Sequence, residues 1–289
     1  MAAYTLFDLT YRLARELGVC FEGTATGGAV GTIIDTVYLL GRYEDSAFAA
    51  GTAWLIWDAA GAGAAPQGEL VRITGFTKST GVVAVTPNFT VAPASGDRYA
   101  LADDMYTKDV LIQAVNQTLA EIPIPYIDDT TITTDASLTE YTLPTGMLDA
   151  DIEVWLNRED TTDDNYWLPL YDWYIQESIT GTAKELIFKN QPAAPYHLRI
   201  KYWLPHPPLN ATTDKLRESI DINRVVLSSA YKLLVWKKAQ KAVDDPVLDQ
   251  RIAELYPRVE AMKWRNPARK ESIKLATLGN IDNLNSTNY

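Results

Sequence analysis

The chain has 289 residues, 47% of them hydrophobic and eight of them Trp, which is material for one large or two to three modest cores and excludes global disorder. No apolar run approaches the ~20 residues of a membrane helix, and the opening MAAYTLFDLTYRLARELG alternates charge and apolarity where a signal peptide needs a continuous apolar stretch. The net charge of -11 is uneven: residues 201–289 hold 15 Lys and Arg against 10 Asp and Glu, leaving 11 against 27 in residues 1–200 out of totals of 26 and 37.

In chain order, a helix is expected over 5–17, where Leu6, Leu9, Leu13 and Leu17 recur at spacings of three and four and share one face. Asp8 suits the positive end of its dipole, and Gly18 is a stop signal. From Phe21 to Asp103 the texture turns to β. TAWLIWD alternates, and ELVRITGF, KSTG and VVAVTP read as a hairpin. Roughly four to six short strands in about 80 residues fit a small barrel or compact antiparallel sheet, with Phe48, Trp54, Phe76 and Tyr99 as core candidates. A second helix is expected over 105–122, with Leu111, Val115, Leu119 and Ile122 on one stripe, ended by Pro123 and Pro125.

SLTEYTLP, DIEVWLN, YWLPLYDWYIQ, KELIFK and HLRIKYWLP form a second β block, expected to make an antiparallel sandwich. In its last strand His197, Arg199 and Lys201 face one way and Leu198, Ile200 and Tyr202 the other. A helix over 215–243 is apolar almost all round, so it is expected to be central, with Val235 and Trp236 among its buried residues. Asp244 or Asp245 followed by Pro246 restarts a helix over 246–264, and Pro257 is expected to kink it. After Pro267 the chain is polar and Asn-rich, an extended tail. The basic C-terminal segment either docks on an acidic partner or neighbouring copy, or is a solvated helix face followed by a tail. The predicted fold class is α+β: a four-helix hub (1–20, 104–125 and 206–266) with two antiparallel β insertions, a barrel-like one at 21–103 and a sandwich-like one at 126–205, and the tail at 267–289.

The chemistry-bearing residues are sparse. Cys20 is alone, so no disulfide framework or thiolate cluster is expected, and a reducing cytoplasm suits the chain. The two His, His197 and His206, have no partner at metal-ligand spacing, and no Gly-x-Ser-x-Gly elbow occurs. GTATGGAVGT lacks the Lys-Ser/Thr ending of a phosphate loop. A strand would put Asp149, Asp151 and Glu153 on one face, as a cation site or acid/base pair or as a solvated face that discourages stray pairing; the solvated face is preferred. Trp155, Trp167 and Trp173, with Tyr166, Tyr171 and Tyr174, crowd one β block. Exposed, they could stack on sugars; otherwise they are core or interface anchors. In YWLPLYDWYIQ the aromatics occupy both parities of a strand, so some must face outward.

Taken together, the opening helix, GTATGGAVGTIIDT, TAWLIWD, GELVRITGF, SGDRYAL, AVNQTLAEI, SLTEYTLP and DDPVLDQRIAEL resemble a family of tailed-bacteriophage head-to-tail connector, adaptor or neck proteins, over most of the chain to about Trp264. The resemblance implies a non-enzymatic virion protein without cofactor or metal, made in the host bacterial cytoplasm and placed at the virion neck. It implies a dodecameric ring under the portal protein, contacts to tail or neck proteins, and DNA passing through the bore without sequence-specific binding. The C-terminal segment would reach the portal or a neighbour, with Lys263, Arg265, Arg269, Lys270 and Lys274 as docking candidates and Trp155, Trp167 and Trp173 as interface aromatics. The alternatives are a carbohydrate-binding module of a tail fibre or surface protein using those Trp, and a hydrolase using Asp151 and Glu153.

Overall fold

A computed structural model of the chain describes residues 4–135, 137–145, 147–157, 167–177, 184–190, 197–240 and 245–265. They form two compact units. One takes the described residues up to Ile122 and those from His206 to the end of the last helix; the other is Pro123–Pro205.

The first unit opens with helix α1 (Leu6–Leu17). Thr5 caps it: its hydroxyl oxygen accepts from the Asp8 N–H at 3.3 Å while the Asp8 carboxylate accepts from the Thr5 N–H at 2.8 Å, a reciprocal capping box. Leu6, Leu9, Leu13 and Leu17 are fully buried, as their spacing predicts. Gly18 takes the left-handed conformation at φ 66°, and its N–H bonds back to the Arg15 carbonyl. Strands β1 (Phe21–Thr24), β2 (Gly27–Ala29), β3 (Thr32–Ile34), β4 (Thr52–Trp57), β5 (Leu70–Thr77), β6 (Val82–Thr86) and β7 (Arg98–Ala102) build a seven-stranded antiparallel sheet in the order β1-β7-β4-β5-β6-β3-β2. The expected β5–β6 hairpin is present, with a register shift between Ile73 and Gly75.

The centre of this sheet is covered on both faces. Ala53, Leu55, Tyr99 and Leu101 join Phe48, Val71, Ile73, Phe76 and Val83 in a core on one side. Trp54, expected among these, is fully buried on the other side, where its indole N–H donates to the Thr10 hydroxyl of α1 at 3.2 Å. Ala100 of β7 is its cross-strand partner, and a small residue there leaves room for the indole under the helix. Helix α2 (Lys108–Ala120) is tied to the same sheet, since Thr52 donates to the Tyr106 carbonyl at 2.8 Å and Lys108 Nζ to the Leu70 carbonyl at 3.1 Å. Helix α3 (Ile222–Gln240) packs against α1, α2 and α4 (Pro246–Arg265). Its Ser229 hydroxyl donates to Thr118 Oγ1 of α2 at 3.0 Å.

In the second unit, β8 (Pro123–Thr133), β10 (Leu148–Asn157), β11 (Trp167–Leu170) and β14 (His197–Pro205) form a four-stranded antiparallel sheet, ordered β11-β10-β14-β8. Strands β9 (Glu140–Thr142), β12 (Trp173–Glu177) and β13 (Lys184–Phe188) form a three-stranded one, ordered β12-β13-β9. Both sheets feed one core of Tyr141, Leu143, Val154, Leu156, Leu186, Phe188, Leu198, Ile200 and Tyr202. Pro123 and Pro125, read as a helix stop, also begin β8, an edge strand, where a missing N–H is tolerated.

The predicted fold class is therefore corrected. The chain does not form a four-helix hub. Among the described residues it is a sheet-rich α+β protein with antiparallel sheets of seven, four and three strands and four helices. The physical reason lies in β4, whose first four residues are all buried: Trp54 enters the helical layer and bonds Thr10 of α1, so the helices share their core with the second face of the seven-stranded sheet. The helix expected over 215–243 also begins later, at Ile222, because the preceding stretch pairs with the chain's start. Leu216 N–H donates to the Tyr4 carbonyl at 2.8 Å and Leu6 N–H to the Asp214 carbonyl at 2.9 Å. Residues 241–244 and the tail from residue 266 lie outside the described residues.

Candidate interaction surfaces

On the outer face of the four-stranded sheet the side chains of β14 and β10 interleave cations with indoles. Trp155 lies opposite Arg199, and Glu153 opposite Lys201. Lys201 Nζ sits 4.5 Å above the Trp155 ring and 3.4 Å from Glu153, whose carboxylate also accepts from Trp155 Nε1 at 3.2 Å. Arg199 stacks 4.3 Å over Trp167, which is only 8% exposed. These are cross-strand cation–π pairs of about 0.5–2 kcal/mol each. Trp173 belongs to the other sheet: it packs against the second unit's core and its N–H donates to the Leu170 carbonyl at 2.8 Å. The three Trp thus share no flat platform, and two of the rings already carry a cation.

The stretch YWLPLYDWYIQ, expected to be one strand, is divided between β11 and β12 of different sheets, with Tyr171 and Asp172 between them. Tyr171 and Tyr174 do face outward. The alternation in DADIE falls on β10, but the register shifts between Leu148 and Glu153. Of its three acids only the Glu153 side chain is described, engaged by Lys201 and Trp155.

The docking candidates are not brought together among the described residues. Lys263, exposed near the end of α4, pairs with Glu260 at 2.7 Å. Arg265 is the last helical residue, and Arg269, Lys270 and Lys274 lie outside the described residues. Cys20 is half-buried, and burial, reinforced by Glu22, pushes its thiol up to about 12, so it stays protonated and a poor nucleophile. Among the described residues no group of three His, Cys, Asp or Glu is placed to hold a metal ion, and no helix is long and apolar enough to cross a membrane.

One surface was not foreseen. Between α2 and α3 runs a cleft whose deeper part, of about 240 Å³, is lined by Met105, Tyr106, Val110, Leu233, Trp236 and Lys237. It continues past Val110, Ala114, Leu233 and Trp236 toward Gln113, Gln117 and Lys232. Met105 is 45% and Trp236 47% exposed, and Val235, next to Trp236 in sequence, is also exposed. This corrects the expectation that Val235 and Trp236 are buried: α3 buries Leu233 and Leu234 against its neighbours, while Val235 and Trp236 lie on sides that no described element covers. Lys237, whose ammonium lies 4.9 Å over the Tyr106 ring and 3.0 Å from its hydroxyl, closes the polar end. The signal available in the sequence was the VWKKAQK run, since Lys237 and Lys238, both within one helical turn of Trp236, cannot both be packed inside a protein.

Comparison with protein-family models and with curated proteins finds no match. The chain's own residues therefore carry the functional inference.

Proposed function

We propose that this chain is a structural virion protein, a head-to-tail connector or adaptor that closes into a ring under the portal, continues the DNA channel and joins the tail. The observation that supports the reading best is the exposed apolar cleft along α2 and α3. Apolar side chains such as Met105 and Trp236, contiguous and rimmed by Gln113, Gln117 and Lys232, are the composition of a protein contact. In a ring each copy presents one face to a different face of its neighbour, so contacts of this kind close the assembly. The acidic balance of residues 1–200 suits a wall along which DNA slides without sticking.

The C-terminal segment is assigned to portal docking, with Lys263, Arg265, Arg269, Lys270 and Lys274 supplying its positive charge. The test is a chain truncated after Trp264. It is expected to fold, by circular dichroism and hydrogen exchange, and to lose binding to the portal ring of the same phage. A folded truncated chain that still binds the portal overturns the docking assignment. An intact chain that neither binds the portal nor self-assembles overturns the connector reading.

A further inference from the structure

The stretch from His206 to Asp221 threads the first unit together. Asn116 of α2 donates to the Leu209 carbonyl at 2.9 Å and accepts from its N–H at 2.8 Å. Residues 212, 214 and 216 hydrogen-bond to the chain's start: Thr212 and Asp214 accept from Phe7 and Leu6, and Leu216 donates to Tyr4. At the head of this stretch the His206 side chain is 4% exposed. One ring nitrogen, Nδ1, lies 2.6 Å from the Pro207 carbonyl, and the other, Nε2, lies 3.3 Å from the Arg217 N–H. A carbonyl can only accept and a backbone N–H can only donate, so Nδ1 must carry the proton and Nε2 must be bare. The surroundings fix one neutral tautomer and leave no place for a second proton.

We propose that His206 is an acid-labile clasp: neutral, it holds the Arg217 backbone and, through the adjacent Leu216, the pairing with the start of α1; protonated, it lets them go. A proton added at Nε2 points at the Arg217 N–H, so a hydrogen bond becomes a clash of two donors in a site closed to water. Burial pushes the imidazole below the ordinary histidine value, and the Arg217 guanidinium adds to this; only the Pro207 carbonyl favours the charged ring. A His whose folded value lies below its unfolded value near 6.5 contributes stability that is present above that value and is lost as pH falls through the window beneath it.

The experiment is a proton NMR titration of the full chain and of a His197→Gln variant, which leaves one imidazole because the chain has two His. It is paired with amide exchange at Arg217, Leu216 and, as a control in β7, Leu101. His206 is expected to titrate below the ordinary value. As it does, protection at Arg217 and Leu216 falls tenfold or more while Leu101 keeps its own. His206→Gln, whose amide supplies a donor and an acceptor but does not titrate, is expected to remove this pH dependence. A ring that titrates at or above the ordinary value, protection that does not change, or the same loss in His206→Gln overturns the proposal. Should the Gln variant not fold, the titration and exchange of the native ring decide alone.

Discussion

Thr10→Val in α1 tests whether helices and sheet share one core. The Thr10 hydroxyl is fully buried, accepts from Trp54 Nε1 at 3.2 Å, and donates to the carbonyls of Leu6 and Phe7 at 3.0 Å. Valine keeps the shape but removes the acceptor, leaving the Trp54 N–H buried without a partner, at a cost of about 1–3 kcal/mol. In a Trp54→Phe background there is no N–H to strand, so the same change should cost under about 0.5 kcal/mol, and the difference is the coupling energy. Urea unfolding of the four chains of the cycle measures it, with hydrogen exchange at Leu13 of α1 and Leu101 of β7 reporting where stability is lost. Both amides are expected to lose protection by the same factor. A cost below about 0.5 kcal/mol in the native background, or loss at Leu13 with Leu101 unchanged, would refute the shared core.

Tyr99, buried against the first unit's core, donates to Asp35 at 2.6 Å, and Asp35 also accepts from the amides of Val37 and Tyr38. Burial first, and the Asp35 bond second, raise the Tyr99 hydroxyl well above its usual value. Its stabilisation is therefore complete below the unfolded value near 10 and is lost as pH climbs above it. Tyr99→Phe should lower stability at neutral pH by about 1–3 kcal/mol and flatten the alkaline limb of the stability curve; an unchanged alkaline limb counts against this account. Thr5→Ala removes the capping box and should lower stability by about 0.5–2 kcal/mol, read from the denaturant midpoint. Met105→Gln with Trp236→Gln, on the exposed cleft, should shift stability by about 1 kcal/mol or less while weakening self-association in sedimentation; unaltered association removes the cleft from the interface.

The elements set by local chemistry were legible in the residues. The Leu6, Leu9, Leu13, Leu17 stripe with its Thr5–Asp8 box and Gly18 stop gives α1 nearly to the residue. Asp245, which accepts from the Leu248 N–H at 3.2 Å, and Pro246 give the start of α4. Alternation along β14 gives its two faces. What escaped depends on partners distant in sequence. TAWLIWD has the alternation of a half-buried strand, yet a second layer of helices buries Trp54 on the face that alternation leaves open. An all-apolar helix implies burial on all sides only if enough neighbours exist, and beside Val235 and Trp236 they do not. Within YWLPLYDWYIQ nothing marks the change of sheet at Tyr171 and Asp172. The α2–α3 cleft joins residues more than a hundred positions apart, so the VWKKAQK run could flag an exposed Trp236 but no local pattern could show that α2 forms the opposite wall.

The most direct test of the connector reading is copy number and position in purified virions. Quantitative mass spectrometry against the portal protein, with antibody labelling in the electron microscope, measures both. A copy number matching the portal, with label at the neck, is the expected result. Label at fibre tips or on the capsid surface, or absence from the virion, contradicts it.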